Sequence, residues 1–143
     1  MAKGKNQPEL FAETEQIASL LSKESTQDVV ILLIPSHDRH NKPLPEPLAA
    51  EWASNAMRLF ADLYRGATAF RAAHGIFKTD EGHYLHDAPL VIEAFAEVDA
   101  IQDVSRLNSL VDFCKRMGKA LDQESIMLAF GNIHYYIEDY RRV

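Results

Sequence analysis

Residues 29–34, Val-Val-Ile-Leu-Leu-Ile, form an unbroken apolar run between Asp28 and Pro35. A strand with one wet face alternates apolar and polar residues, and this run does not. It predicts a strand buried on both faces, hence central in its sheet. Pro35 ends it, and the segment carrying Pro43, Pro45 and Pro47 reads as a connecting loop.

The remaining periodicities set what surrounds that strand. Leu10, Phe11, Ile17, Ala18 and Leu21 recur at helical spacing behind Pro8, predicting a helix over 8–23 after a polar tail over 1–7. Leu48, Trp52, Ala56, Phe60, Leu63 and Tyr64 line one side of a helix over 46–65, with Gly66 at the expected stop. Residues 69–78 and 90–98 read as two strands of a hairpin turned at Thr79-Asp80-Glu81-Gly82. Leu107, Leu110, Val111, Cys114, Met117 and Leu121 predict a helix over 104–121, and Ser125 to Ile137 a strand or a hairpin bent at Gly131-Asn132.

After the N-terminal helix the order is β-α-β-β-α-β. With right-handed crossovers this is an α+β chain on the ferredoxin-like split βαβ plan, a four-stranded antiparallel sheet ordered fourth, first, third, second. Both crossover helices then share one face. Covering the other, apolar on the 29–34 strand as well, falls to the helix at 8–23, to a second copy in a homodimer, or to both.

Composition narrows the class. A chain of 143 residues suits a single domain over 8–143, and 47% hydrophobic with 25% charged residues excludes global disorder. The net charge of −6 argues against general nucleic-acid or anionic-membrane binding, and Arg141-Arg142 is too short a basic run to alter that. No apolar segment is long enough to span a bilayer. A polar beginning without a signal-peptide pattern and a lone cysteine, Cys114, predict a cytoplasmic protein, with the thiol packed in a helix.

Topology gathers the chemistry-bearing residues. The end of the first strand, the hairpin turn and the start of the last strand share one rim. That rim holds Ser36, His37, Asp38, Arg39 and His40 with Asp80, Glu81, His83, His86, Asp87, Gln123 and Glu124. Ser36-His37-Asp38 has the letters of a hydrolase triad, but neighbours in an extended chain point apart, and no nucleophile elbow is present. His37-x-x-His40 and His83-x-x-His86 are candidate ligands for a divalent metal, aided by Asp38 or Asp87. The same rim suits a small polar or phosphorylated ligand equally well, and a plainly solvated rim remains the bland alternative.

A second candidate is Glu93 on the third strand, expected near Arg71 across the hairpin, with His74 alongside. A structural salt bridge explains that pair more simply than catalysis does. Tyr135, Tyr136 and Tyr140 with His134 offer surfaces for a planar ligand, although strand packing accounts for them too.

Three patterns, Glu51-Trp52, the hairpin "GIFKTDEGHYLHD" and "DQESIML" at the start of the last strand, resemble a small bacterial family of unknown function with a ferredoxin-like build. Its hairpin reads G-x-W-x4-G-x4-E. Gly75 and Gly82 match it, while Phe77 and Asp87 replace the tryptophan and glutamate. The resemblance spans about residues 29–130 and implies the fold. It implies no activity.

Two functions of different class follow. One is a binding module whose rim takes a small ligand or a partner. The other is a small cofactor-free or metal-assisted enzyme, with Glu93, His74, Arg71 or the rim histidines as its working groups. The binding reading is preferred, because no residue pattern here specifies a reaction.

Overall fold

In the computed structural model, the described residues are 28–138 together with Gln16 and Leu20. The expected tail at 1–7 lies outside them, as does the helix at 8–23 apart from those two positions.

The chain is α+β with an antiparallel sheet. In order come β1 (Asp28–Ile34), α1 (Glu46–Tyr64), β2 (Thr68–Arg71), β3 (Gly75–Lys78), β4 (Tyr84–Asp87), β5 (Leu90–Ala96), α2 (Val98–Gln102), α3 (Val104–Ala120), β6 (Ile126–Phe130) and β7 (Ile133–Ile137). The main sheet runs β2-β5-β1-β6-β7, and β3-β4 forms a separate two-stranded ribbon. β1 is the middle strand of five, as its two-sided apolar pattern requires.

Two expectations need correction. The sheet has five strands, because the chain turns back at Gly131 and pairs β7 along β6, from Ile126 opposite Ile137 to Phe130 opposite Ile133. Gly131 takes φ 59°, and a Cβ there would run into the Asp28 carboxylate. The long hairpin is also not continuous. It joins the sheet through β2 and β5, then breaks at Ala72–His74 and Ala88–Pro89 before resuming as β3 and β4. Pro89 has no N–H to give a ladder, and its carbonyl instead accepts from Ala72 N–H at 2.9 Å. The turn falls where the sequence puts it, closed by Gly82 at φ 88° and by Thr79 N–H to His83 O at 2.8 Å.

The two long helices share one sheet face. Val30, Leu32 and Ile34 of β1, Ile92, Ala94 and Ala96 of β5, and Ile126 and Leu128 of β6 point to it. There they meet Ala53, Ala56, Phe60 and Tyr64 of α1 and Leu110, Phe113, Cys114 and Met117 of α3 in one buried cluster. Pro45 stands just before α1, a second proline lies in its first turn, and Arg65 closes it in the left-handed region at φ 74°. The stop therefore lies one residue before the expected Gly66. Asp103 caps α3 by accepting Arg106 N–H at 3.1 Å.

The opposite face carries Val29, Ile31 and Leu33, half-buried, beside Phe70 at 48% and Phe95 at 60% exposure. Among the described residues, no helix is long and apolar enough to cross a membrane.

Candidate functional site

A cleft of about 780 Å³ opens where the end of β1, the β3–β4 ribbon and the start of β6 come together. Its polar lining comes from His37, Asp38, Arg39, Asp87, Gln123 and Glu124, and its apolar lining from Ile76, Phe77, Leu85, Met127 and Tyr136. The volume is in the range of small-molecule sites.

The loop after β1 is held by its own polar groups. The Asp38 carboxylate accepts His40 N–H at 2.8 Å and Lys42 N–H at 3.0 Å, while Leu44 N–H returns to Ser36 O at 2.8 Å. The Lys42 amide foremost, with the His40 amide, holds the Asp38 carboxyl below the usual carboxylate range. Asn41 accepts the left-handed conformation at φ 59°, which closes the turn. The loop is fastened to the β6 side by Arg39 N–H to Asp122 O at 2.9 Å and by the Gln123 amide to His37 O at 2.8 Å. The Arg39 guanidinium lies 3.9 Å from the Asp122 carboxylate.

At the centre, Ser36, His37 and Asp87 converge from the two loops. The Ser36 hydroxyl contacts an Asp87 carboxylate oxygen, lies 2.7 Å from His37 Nδ1, and accepts Ala88 N–H at 2.9 Å. Asp87 also accepts Ser36 N–H at 2.9 Å, and His37 Nδ1 is 3.7 Å from the same carboxylate oxygen. The expectation that adjacent Ser36 and His37 point apart is therefore incorrect, because the chain bends at Ser36 and ceases to be extended. The order is still not that of a hydrolase triad. Serine sits between carboxylate and imidazole, whereas a nucleophilic triad puts imidazole in the middle.

The other predicted residues are dispersed. His86 lines the cleft and takes His74 as its partner, with Nε2 to Nδ1 at 2.9 Å. His83 sits at the ribbon turn, where its N–H donates to Thr79 Oγ1 at 3.0 Å, and His40 is exposed on its loop. Among the described residues, no three His, Cys, Asp or Glu side chains come together as metal ligands; of the four histidines that were candidate ligands, His37 and His86 line the cleft. Arg71 and Glu93 do not pair. Arg71 lies opposite Leu90 on the helix-covered face and Glu93 opposite Thr68 on the other. Arg71 instead reaches Glu46 at 3.6 Å and Ala88 O at 3.4 Å.

Sequence reasoning missed the apolar wall formed by Ile76, Phe77 and Leu85. A signal was present, since these side chains crowd a short ribbon too narrow to bury them, and Ile76 and Phe77 are 62% and 63% exposed.

No protein-family model matches this chain, and no curated protein matches it. Two solved structures are similar in fold. One is a phage SAM lyase in the apo state, with a TM-score of 0.58 at 9% identity over 82% of this chain and 93% of that one. The other is a phage SAM lyase in complex with S-methyl-5'-thioadenosine, with a TM-score of 0.56 at 12% identity over 82% of this chain and 95% of that one. At these identities the likeness is one of fold.

Proposed function

We propose that the protein binds a small, planar, positively charged ligand of nucleoside size in the cleft beside β1. The observation that carries this reading is the two-sided lining. Phe77 and Tyr136 provide aromatic surface, and Asp38, Asp87, Glu124 and Glu138 outnumber Arg39, which already faces Asp122. An acidic, aromatic cleft attracts a cation and rejects a phosphate. That favours the small polar ligand over the phosphorylated one.

The fold likeness to a phage SAM lyase supports a specific class. SAM joins an adenine ring to a sulfonium cation, and S-methyl-5'-thioadenosine, held in one of those structures, keeps the ring and loses the charge. The sheet order β2-β5-β1-β6 supports reading the body as a ferredoxin-like split βαβ plan, extended by β7 and by the ribbon. The exposed Phe70 and Phe95 support a homodimer through the open face, and a monomer in sedimentation equilibrium would remove that part of the reading.

Isothermal titration calorimetry with SAM, S-methyl-5'-thioadenosine, adenosine and inorganic phosphate tests the ligand. Saturable heat is expected for SAM, weaker binding for the two uncharged nucleosides and none for phosphate. Phe77→Ala and Tyr136→Ala should each weaken SAM by roughly tenfold, the value of one lost stacking contact. Absence of heat with SAM and with both nucleosides would overturn the proposal.

A further inference from the structure

The proton positions around Ser36 follow from counting donors. A serine hydroxyl has one hydrogen to give and two lone pairs to accept with, and Ser36 Oγ has three partners. Asp87, as a carboxylate, only accepts, so the hydroxyl hydrogen goes to it. Ala88 N–H only donates; it is shared between Ser36 Oγ at 2.9 Å and Asp87 Oδ1 at 3.0 Å, and it takes one Ser36 lone pair. The third partner, His37 Nδ1 at 2.7 Å, must then donate to the other. The reverse arrangement, with the hydroxyl donating to His37, would leave Oγ against a carboxylate oxygen with no hydrogen between them.

The chain therefore runs His37 Nδ1–H to Ser36 Oγ–H to Asp87. With its proton on Nδ1, a neutral imidazole keeps a bare lone pair on Nε2. That nitrogen lies across the ring from Ser36, on a residue that lines the cleft, and it has no hydrogen-bond partner among the described residues. The His37 backbone is fixed as well, through its carbonyl to the Gln123 amide at 2.8 Å.

We propose that His37 Nε2 is the proton-accepting site of the cleft, and that Ser36 and Asp87 are positioning residues that lock its tautomer. The site takes a ligand that presents an N–H or O–H, such as the exocyclic amine or ribose hydroxyl of a nucleoside; that choice of ligand rests on the reading above, while the tautomer does not. Ser36 is not a nucleophile in this arrangement. Its hydrogen is committed to Asp87, and the imidazole nitrogen it meets is already protonated.

The test needs no ligand. Long-range 1H–15N NMR of the full chain reads which imidazole nitrogen carries hydrogen while the ring is neutral. His37 should show a protonated Nδ1 and a bare Nε2. Ser36→Ala should lose that selectivity, and Ser36→Thr, which restores the hydroxyl, should regain it. Diethyl pyrocarbonate, which attacks bare imidazole nitrogens, should modify wild-type His37 at Nε2. A protonated Nε2 in the wild type, or labelling of Ser36 by a fluorophosphonate probe, would overturn the proposal. Failure of SAM and the nucleosides to bind would remove the ligand reading and leave the tautomer result standing.

Discussion

The Asp87 carboxylate at the end of β4 accepts the backbone N–H of Ser36, just beyond β1, at 2.9 Å. The same group takes the Ser36 hydroxyl and, at 3.0 Å, Ala88 N–H, so a single carboxylate ties the ribbon to the sheet. Hydrogen bonds to a charged group contribute more than neutral ones, although this carboxyl is partly open to water. Asp87→Ala should lower stability by about 2 kcal/mol in urea denaturation, and Asp87→Asn by less, since it keeps one acceptor oxygen. An unchanged midpoint in Asp87→Ala would mean that the ribbon is held by other contacts.

The cap on α3 rests on one side chain. Asp103 accepts Arg106 N–H, and its carboxylate lies 3.4 Å from the Arg106 guanidinium. Removing such a cap costs about 1 kcal/mol, so Asp103→Ala should lower the thermal midpoint and Asp103→Asn should largely keep it.

Arg65 holds a conformation that side chains disfavour, with φ 74° at the end of α1. Arg65→Gly should raise stability by about 1 kcal/mol, because glycine takes that region without a Cβ penalty. Chemical denaturation of the single variant reads this directly. A destabilised variant would show that the arginine side chain makes a larger contribution than its backbone strain.

Alkaline pH should weaken the fold through two buried acids. Burial pushes the Cys114 thiol from 9.0 up to about 12, and burial likewise pushes the Tyr64 hydroxyl from 10.0 up to about 12. Tyr64 has no hydrogen-bond partner for that hydroxyl among the described residues. Between pH 9 and 12 the unfolded chain releases these protons while the folded chain keeps them. Stability is therefore full below 9 and falls as pH rises through that window. Urea midpoints measured across it should decline in the wild type and decline less in a Cys114→Ala/Tyr64→Phe double variant.

Much of the framework was legible because it depends on periodicity alone. The two-sided run at 29–34 specifies a central strand, and the stripes from Leu48 to Tyr64 and from Leu107 to Leu121 each specify a helix and the side it buries. The break in the long hairpin was also written in the chain, at Pro89, but its effect depends on which carbonyls and amides face one another. The rim followed from topology, which brought the residues after Pro35 toward Asp87. Its inner geometry did not, because the Ser36–His37 contact arises from a bend that no pattern of residue types announces. The histidine pairs misled for a related reason: spacing placed His83 and His86 on one loop, while the ladder opposite Ile76 gave His86 to His74.

The place of β1 in the sheet has a consequence for how the chain reaches its native state. β1 has both of its neighbours far downstream, with Leu32 facing Ile92 on one side and Leu128 on the other. On the ribosome it is made early and completed late. Until β5 and then β6 emerge, Val-Val-Ile-Leu-Leu-Ile has two open edges, high β-propensity and no charge within it, as aggregation-prone segments do. Folding of this topology waits on non-local pairing and is slow for its size. The segment that organises the finished sheet is thus also the chain's main hazard during synthesis, guarded only by Asp28 before it and Pro35 after it.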